Sequence, residues 1–274
     1  MKTVTMNFKL LLNFYNYHSF KKCKLYRPPN ILLCSKYAFQ KLYSTQSVVE
    51  CEKTNESNSN VENYVNPLTK SDFFEVHNLF SIKDLFDARV HFGHKTNTLN
   101  PKMRSYIFGS RLDHLIFDLE QTAELLRAAL NFTAHIAYRD GVILFASNYY
   151  QHCPIIENTA IECKEFAHTR NFRKGTMLNS SNMFGGVIRH PDLIIFTSTL
   201  NTVLATHQLV FEAAKLLIPT IGIVDTNSDP TIITYPVPGN DDTPSAVELY
   251  CKLFKIAILK GKSYKEKELK LYGQ

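Results

Sequence analysis

The chain has 274 residues, of which 45% are hydrophobic and 20% charged, and a formal net charge of +6. That supplies one large globular domain with a flexible end, and no apolar run reaches the roughly 18 residues of a membrane-spanning helix. Six cysteines, at positions 23, 34, 51, 153, 163 and 251, form no Cys-x-x-Cys pair, which argues against a zinc knuckle or disulfide scaffold and for free thiols in a reducing compartment.

The charge is unevenly placed. Residues 1–50 hold eight Lys/Arg and one acid, Glu50, whereas residues 51–274 hold 23 Lys/Arg and 24 Asp/Glu. Residues 1–43 read as a mitochondrial targeting sequence: cationic, acid-free, with Leu, Phe, Tyr and Ser between the lysines. Lys41-Leu42-Tyr43-Ser44 resembles a processing site; the competing reading is a basic nucleic-acid-binding arm. Residues 44–70, rich in Ser, Asn, Thr and Glu, read as a disordered arm or linker. A folded domain is expected over 71–262 and a solvated, charged tail over 263–274.

Within the domain, Ser81 with Asp84 three residues on resembles a capping box, and a helix is expected to about Arg89. The segment Arg89–Arg111 comes next, with Arg89, Lys95, Lys102, Arg104 and Arg111, no acid, and Phe92, Tyr106 and Phe108 interleaved. Composition alone favours a solvated surface loop; the alternative is a phosphate-backbone contact. Ser105–Phe108 and His114–Phe117 are expected as a hairpin turning through Gly109–Asp113. Asp118 starts a long helix to about Tyr138. Val142–Ala146, Leu193–Ser198 and Thr220–Asp225 are short, mostly apolar runs, the mark of buried parallel strands. Ala167–Arg170 and Ile232–Tyr235 are two shorter candidates. Helices are expected over about 149–166, over 202–217, and from Thr243-Pro244 onward. Strands alternating with helices mean βαβ units and a parallel sheet of about five strands.

The loops after its strands limit the chemistry that such a sheet can carry. No GxGxxG or GxxxxGK[ST] occurs, so no backbone is free to approach a pyrophosphate. No GxSxG nucleophile elbow is present. His91-x-x-His94 has a Gly inside it and lacks a third ligand, which favours two histidines packed around a turn over a metal site. Asp225, Asp229, Asp241 and Asp242 occupy turn-forming loops, and turn and cap chemistry accounts for them. The alternative is an α/β enzyme or phosphoacceptor using Asp225 and the Asp241/Asp242 loop. Lys164, Arg170, Arg173 and Lys174 form a second basic cluster.

Several strings together resemble the ribosomal protein S2 family. They are Val90-His91-Phe92-Gly93-His94, Asn100-Pro101-Lys102-Met103, Tyr106-Ile107-Phe108-Gly109, Ile116-Phe117-Asp118-Leu119-Glu120-Gln121-Thr122, Ile223–Pro230 and Val237-Pro238-Gly239-Asn240-Asp241-Asp242. The resemblance spans about Ser81 to Gly261. It implies a flavodoxin-like three-layer α/β/α fold with a five-stranded parallel sheet. It also implies a structural, RNA-associated protein of the small ribosomal subunit, not an enzyme and without a cofactor. Bacterial relatives carry a helical hairpin before the strand near Leu193; here only Asn182–His190 stand in its place, so the hairpin is expected to be absent or reduced. Phe172 stands where a Trp is usual. With the leader, the resemblance points to the mitochondrial branch. The expected partners are the mitochondrial small-subunit rRNA and other small-subunit proteins, with no membrane and no homo-oligomer, in the mitochondrial matrix. The RNA-contacting residues expected are Arg89, Lys95, Lys102, Arg104 and Arg111, then Arg170, Arg173 and Lys174. A matrix RNA-binding factor outside the ribosome would use the same patches.

Overall fold

The computed structural model describes residues 66–186, 188–202 and 205–272. The leader and most of the linker lie outside the described residues. Residues 66–70 form a 3-10 turn at Pro67–Thr69 capped by Asn66. The chain then straps itself to the domain. Phe74 is fully buried, and the Lys260 ammonium donates to the carbonyls of Phe74 and Glu75 at 3.2 and 3.0 Å.

The expected capping box is present in α1 (Ile82–Asp87): the Ser81 hydroxyl accepts from the Asp84 amide at 3.3 Å, and the Asp84 carboxylate accepts from the Ser81 amide at 2.9 Å. Arg89 ends the helix in the left-handed region at φ 62°, which turns the chain back to bury Val90. Three short strands come next, β1 (Phe92–Lys95), β2 (Ile107–Arg111) and β3 (His114–Phe117), in an antiparallel sheet ordered β1-β3-β2. The hairpin is tighter than expected. β2 runs on to Arg111 and only Leu112 and Asp113 make the turn, both left-handed at φ 51° and 62°. Turns with two left-handed residues suit strand twist, but they usually advertise themselves by Asn-Gly, which this one lacks. β1 is a strand that the sequence pattern does not announce.

Asp118 caps α2 (Leu119–Tyr138) by accepting from the Glu120 amide at 3.1 Å. Ala123, Leu126, Ala129, Leu130, Ala134 and Ala137 form its buried stripe. The main sheet contains β4 (Ile143–Ala146), β5 (Phe166–His168), β6 (Leu193–Phe196), β9 (Thr220–Val224) and β10 (Tyr235–Pro238). Its order is β10-β9-β6-β4-β5, and all four pairings are parallel. Numbered within the sheet this is 2-1-3-4-5, the flavodoxin-like order. The edge strand β10 tolerates Pro236 and Pro238 because one side of it needs no ladder donors.

Alternation along the strands splits the core between two layers. Ile143, Phe145, Leu193, Ile195, Ile221, Ile223 and Val237 pack against α2, α3 (Cys153–Cys163) and α6 (Pro244–Tyr272). Leu144, Ala146, Ile194, Phe196 and Val224 face α5 (Gln208–Lys215), together with Met103 and Phe117. The second layer is thin. Among the described residues the only helix between β5 and β6 is α4 (Ser180–Phe184), which buries no side chain.

Other expected boundaries shift as well, and the strand expected at Ala167–Arg170 is β5, Phe166–His168. The helix expected from Tyr149 begins at Cys153, next to Pro154, whose fixed φ suits a first turn. The helix expected over 202–217 shortens to α5. Before it, β7 (Leu200–Thr202) and β8 (Ala205–Thr206) pair as a hairpin, and His207 then caps α5 by accepting from the Leu209 amide at 3.1 Å. The strand expected at Ile232–Tyr235 is displaced: Pro230–Ile232 is a 3-10 turn and β10 starts at Tyr235. The boundary expected after residue 262 is not an element end, because α6 continues to Tyr272. Its extension is held by Tyr264 against Phe73 and Phe74 at 5.3 and 5.6 Å, by Lys265 on Asp140, and by Glu268 on the Tyr138 hydroxyl.

Candidate functional site

The cationic segment is irregular, as its Gly, Asn and Pro dictate, yet it is firmly mounted. The Asn100 amide donates to the Thr226 carbonyl at 2.8 Å and Met103 is fully buried. The Asn240 side chain donates to the Arg89 carbonyl at 3.2 Å. Arg89, Lys95, Arg104 and Arg111 are all exposed, and among the described residues none has a carboxylate within 4 Å. Lys102 differs. Its ammonium lies 2.6 Å from Asp229 and 3.1 Å from the Thr231 hydroxyl. Although desolvation works the other way, the Lys102 bond and those from the Thr231 hydroxyl and amide hold the Asp229 carboxyl below the usual carboxylate range. Lys102 is therefore already spent on an internal ion pair.

Lys95 and Arg111 share a cavity of about 840 Å³ with Phe92, His94, Leu112, His114, Asp225 and Asp242. Its floor lies beyond the C-terminal end of β9, the usual place for ligands on such sheets. His94 Nδ1 is 3.1 Å from Asp225 and Nε2 is 3.3 Å from Asp242. The hydrogen bond to Asp225, opposed by desolvation and reinforced by the charges of Asp225, Asp242 and Asp241, raises the His94 pKa to about 9. His94 is thus an imidazolium at neutral pH, with a carboxylate beside each ring nitrogen. Asp225 is buried; its other oxygen accepts from the Thr226 amide at 2.5 Å and hydroxyl at 3.1 Å. Burial first, and then the charges of Asp225 and Asp242, hold the Asp241 carboxyl well above the usual range. Burial and the same carboxylates push the Tyr149 phenol up to about 12.

This geometry has two chemical capacities to weigh. His94, Asp225 and Asp242 each offer a ligand atom, all within 4.8 Å of one another, a nitrogen–oxygen set able to hold one divalent cation in place of the His94 proton. Phosphoacceptor chemistry fits poorly, since both Asp225 oxygens are engaged and the residue is 1% exposed. The His91-x-x-His94 pair does not act as a unit. His91 stacks on Phe86 with centroids 4.4 Å apart, as the packing reading expects. His94 turns instead to the two aspartates. Sequence reasoning missed this constellation; its only signal was that all three residues sit inside the strings that carry the family resemblance.

The second expected cluster is elsewhere. Arg170, Arg173 and Lys174 lie on the loop after β5, and none lines the cavity. Arg170 is 3.6 Å from Glu157; Arg173 and Lys174 are exposed.

A family model described as ribosomal protein S2 matches residues 85–193 and 186–261. The chain is 53% identical over 206 residues to the small ribosomal subunit protein uS2m of Bos taurus, covering 75% of this chain and 70% of the relative. It is 34% identical over 225 residues to the small ribosomal subunit protein uS2 of Rickettsia akari, and 35% to that of Rickettsia felis, in each case covering 66% of this chain and 75% of the relative. An alignment of 225 residues that takes up only 66% of a 274-residue chain includes several tens of positions with no counterpart here. The two matched pieces of the family model meet at 186–193, just before β6.

Proposed function

The chain belongs to the ribosomal protein S2 family, a family of structural components and not of enzymes, and from this premise we propose that it is a constituent of the mitochondrial small ribosomal subunit, binding small-subunit rRNA and neighbouring proteins in the matrix. The observation that carries the compartment is the 53% identity to uS2m over three quarters of the chain, against 34% to a bacterial uS2. The acid-free composition of residues 1–43, proposed as a targeting sequence, agrees with it.

The mechanism is binding. Arg89, Lys95, Arg104 and Arg111 project from a segment whose backbone is fixed by Thr226, Asn240 and buried Met103. Such cations neutralise phosphates and set position without reading sequence. The near-neutral charge of residues 51–274 makes these local groups the source of the attraction.

Sedimentation tests the reading. The tagged full-length protein should travel with the mitochondrial small subunit at stoichiometric amounts and remain there in high salt. Migration as a free RNA-bound factor would instead favour a role outside the ribosome.

A further inference from the structure

We propose that the surface between β5 and β6 is a docking site for an acidic, amphipathic segment of a neighbouring small-subunit protein. This rests on the ribosomal reading above and names a partner class for one face. Residues 166–191 contain Arg170, Arg173, Lys174 and Arg189 and no acid. Arg170 and Arg189 have local partners in Glu157 and Asp192. Arg173 and Lys174 have no carboxylate within 4 Å among the described residues. Beside them in the chain, Leu178, Met183, Phe184 and Ile188 are exposed, Phe184 to 60%.

This stretch is anchored from below. The buried Glu212 carboxylate of α5 accepts from the Gly175 amide at 2.5 Å and the Met177 amide at 3.0 Å. Phe172 and Met177 pack into the second core layer, with Phe172 5.4 Å from His168 and 5.6 Å from His207 between ring centroids. Apolar side chains directed into solvent from an anchored base mark a surface made to be covered. The bacterial relatives align over several tens of positions that this chain lacks, and the matched pieces of the family model meet beside Ile188. Just before that junction this chain has a five-residue helix with Met183 and Phe184 uncovered.

Charge complementarity selects the occupant. RNA phosphates would satisfy Arg173 and Lys174 but leave the four apolar side chains in water. A protein segment carrying carboxylates beside apolar residues meets both needs.

The test places a photoreactive phenylalanine analogue at Phe184, and separately at Met183, in the full-length tagged protein, and irradiates sedimented small subunits. The expected result is a ribonuclease-resistant cross-link to a peptide of another small-subunit protein bearing both carboxylates and apolar residues. Its yield should fall at least fivefold with R173E and K174E together. A cross-link to rRNA, a peptide without carboxylates, no cross-link from either position, or a yield unmoved by the charge reversal would each overturn the proposal. Absence of the unmodified tagged chain from the subunit would instead bring down the ribosomal reading, and this proposal with it.

Discussion

His94 and Asp225 stand 3.1 Å apart, ring nitrogen to carboxylate, although one lies in the small antiparallel sheet and the other sits just past β9 of the parallel sheet. The same junction is fastened once more, by the His94 amide donating to the Thr226 hydroxyl at 3.1 Å, and the approach is close enough that a Cβ added at Gly93 would lie 2.6 Å from Thr226 Cγ2. The cationic segment thus inherits its position from the C-terminal edge of the main sheet.

The first expected outcome concerns pH. The folded pKa of His94 is raised from the ordinary 6.5 to about 9. Such a group gives its full stabilisation below pH 6.5 and loses it as pH rises through about 9. The amount is on the order of 2–3 kcal/mol after allowance for partial exposure. Asp241, also raised, loses stability in the same direction as it ionises, so the wild-type titration mixes the two. Comparison with H94Q isolates the imidazolium. Denaturant midpoints of the two proteins should differ most at pH 6 and converge toward pH 10; a constant gap would sink the assignment.

A second outcome concerns helix packing. At Gly261 in α6 an added Cβ would run into the Ala134 carbonyl oxygen and come within 3.1 Å of Ala137 Cβ and the Tyr138 amide in α2. Two of those atoms are backbone and cannot swing away. G261A should cost about 1–3 kcal/mol and lower Tm by several degrees. Gly109 has nothing within 4 Å of an added Cβ, so G109A should change stability by less than about 0.5 kcal/mol.

Much of this was legible in the chain. Apolar runs such as Leu193–Ser198 need no partner information to be recognised as buried strands, and Ser81 and Asp118 announce their helices by side chains that cap them locally. What sequence could not show depends on distant residues. β1 has Gly93 and polar neighbours in place of an alternating pattern, and its place is set by Leu115 and Thr226. β7 and β8 stand where the sequence offers a helix-like spacing of apolar residues. The exposure of Arg104 was readable; the loss of Lys102 to Asp229, 127 positions away, was not.

That distinction yields a third outcome. Charge reversal at Arg104 and Arg111 together should reduce incorporation into the small subunit several-fold, with the difference from wild type narrowing as salt is raised, because screening weakens the phosphate contacts that the variant has already lost. K102Q should leave incorporation nearly unchanged, because its ammonium is already paired and exposed pairs contribute about 0–1 kcal/mol. Gradient fractions quantified against another small-subunit protein would show it. Equal loss in both variants would mean that Lys102 leaves Asp229 to meet RNA.

The fourth outcome tests how the surface before β6 is held. Glu212 is 3% exposed and accepts two backbone amides, from Gly175 and Met177, across the space between α5 and the loop. Hydrogen bonds to a charged acceptor contribute about 1.5–3 kcal/mol each, and E212A leaves both donors without that acceptor beneath a segment that α4 alone does not anchor. E212Q retains one acceptor oxygen, so it should be intermediate. The loop contains Arg173 and Lys174, so trypsin reads its opening directly. Nicking after these residues should accelerate tenfold or more in E212A and less in E212Q, while cleavage within α2 stays slow. Unchanged nicking would show that Phe172 and Met177 hold the loop without the carboxylate.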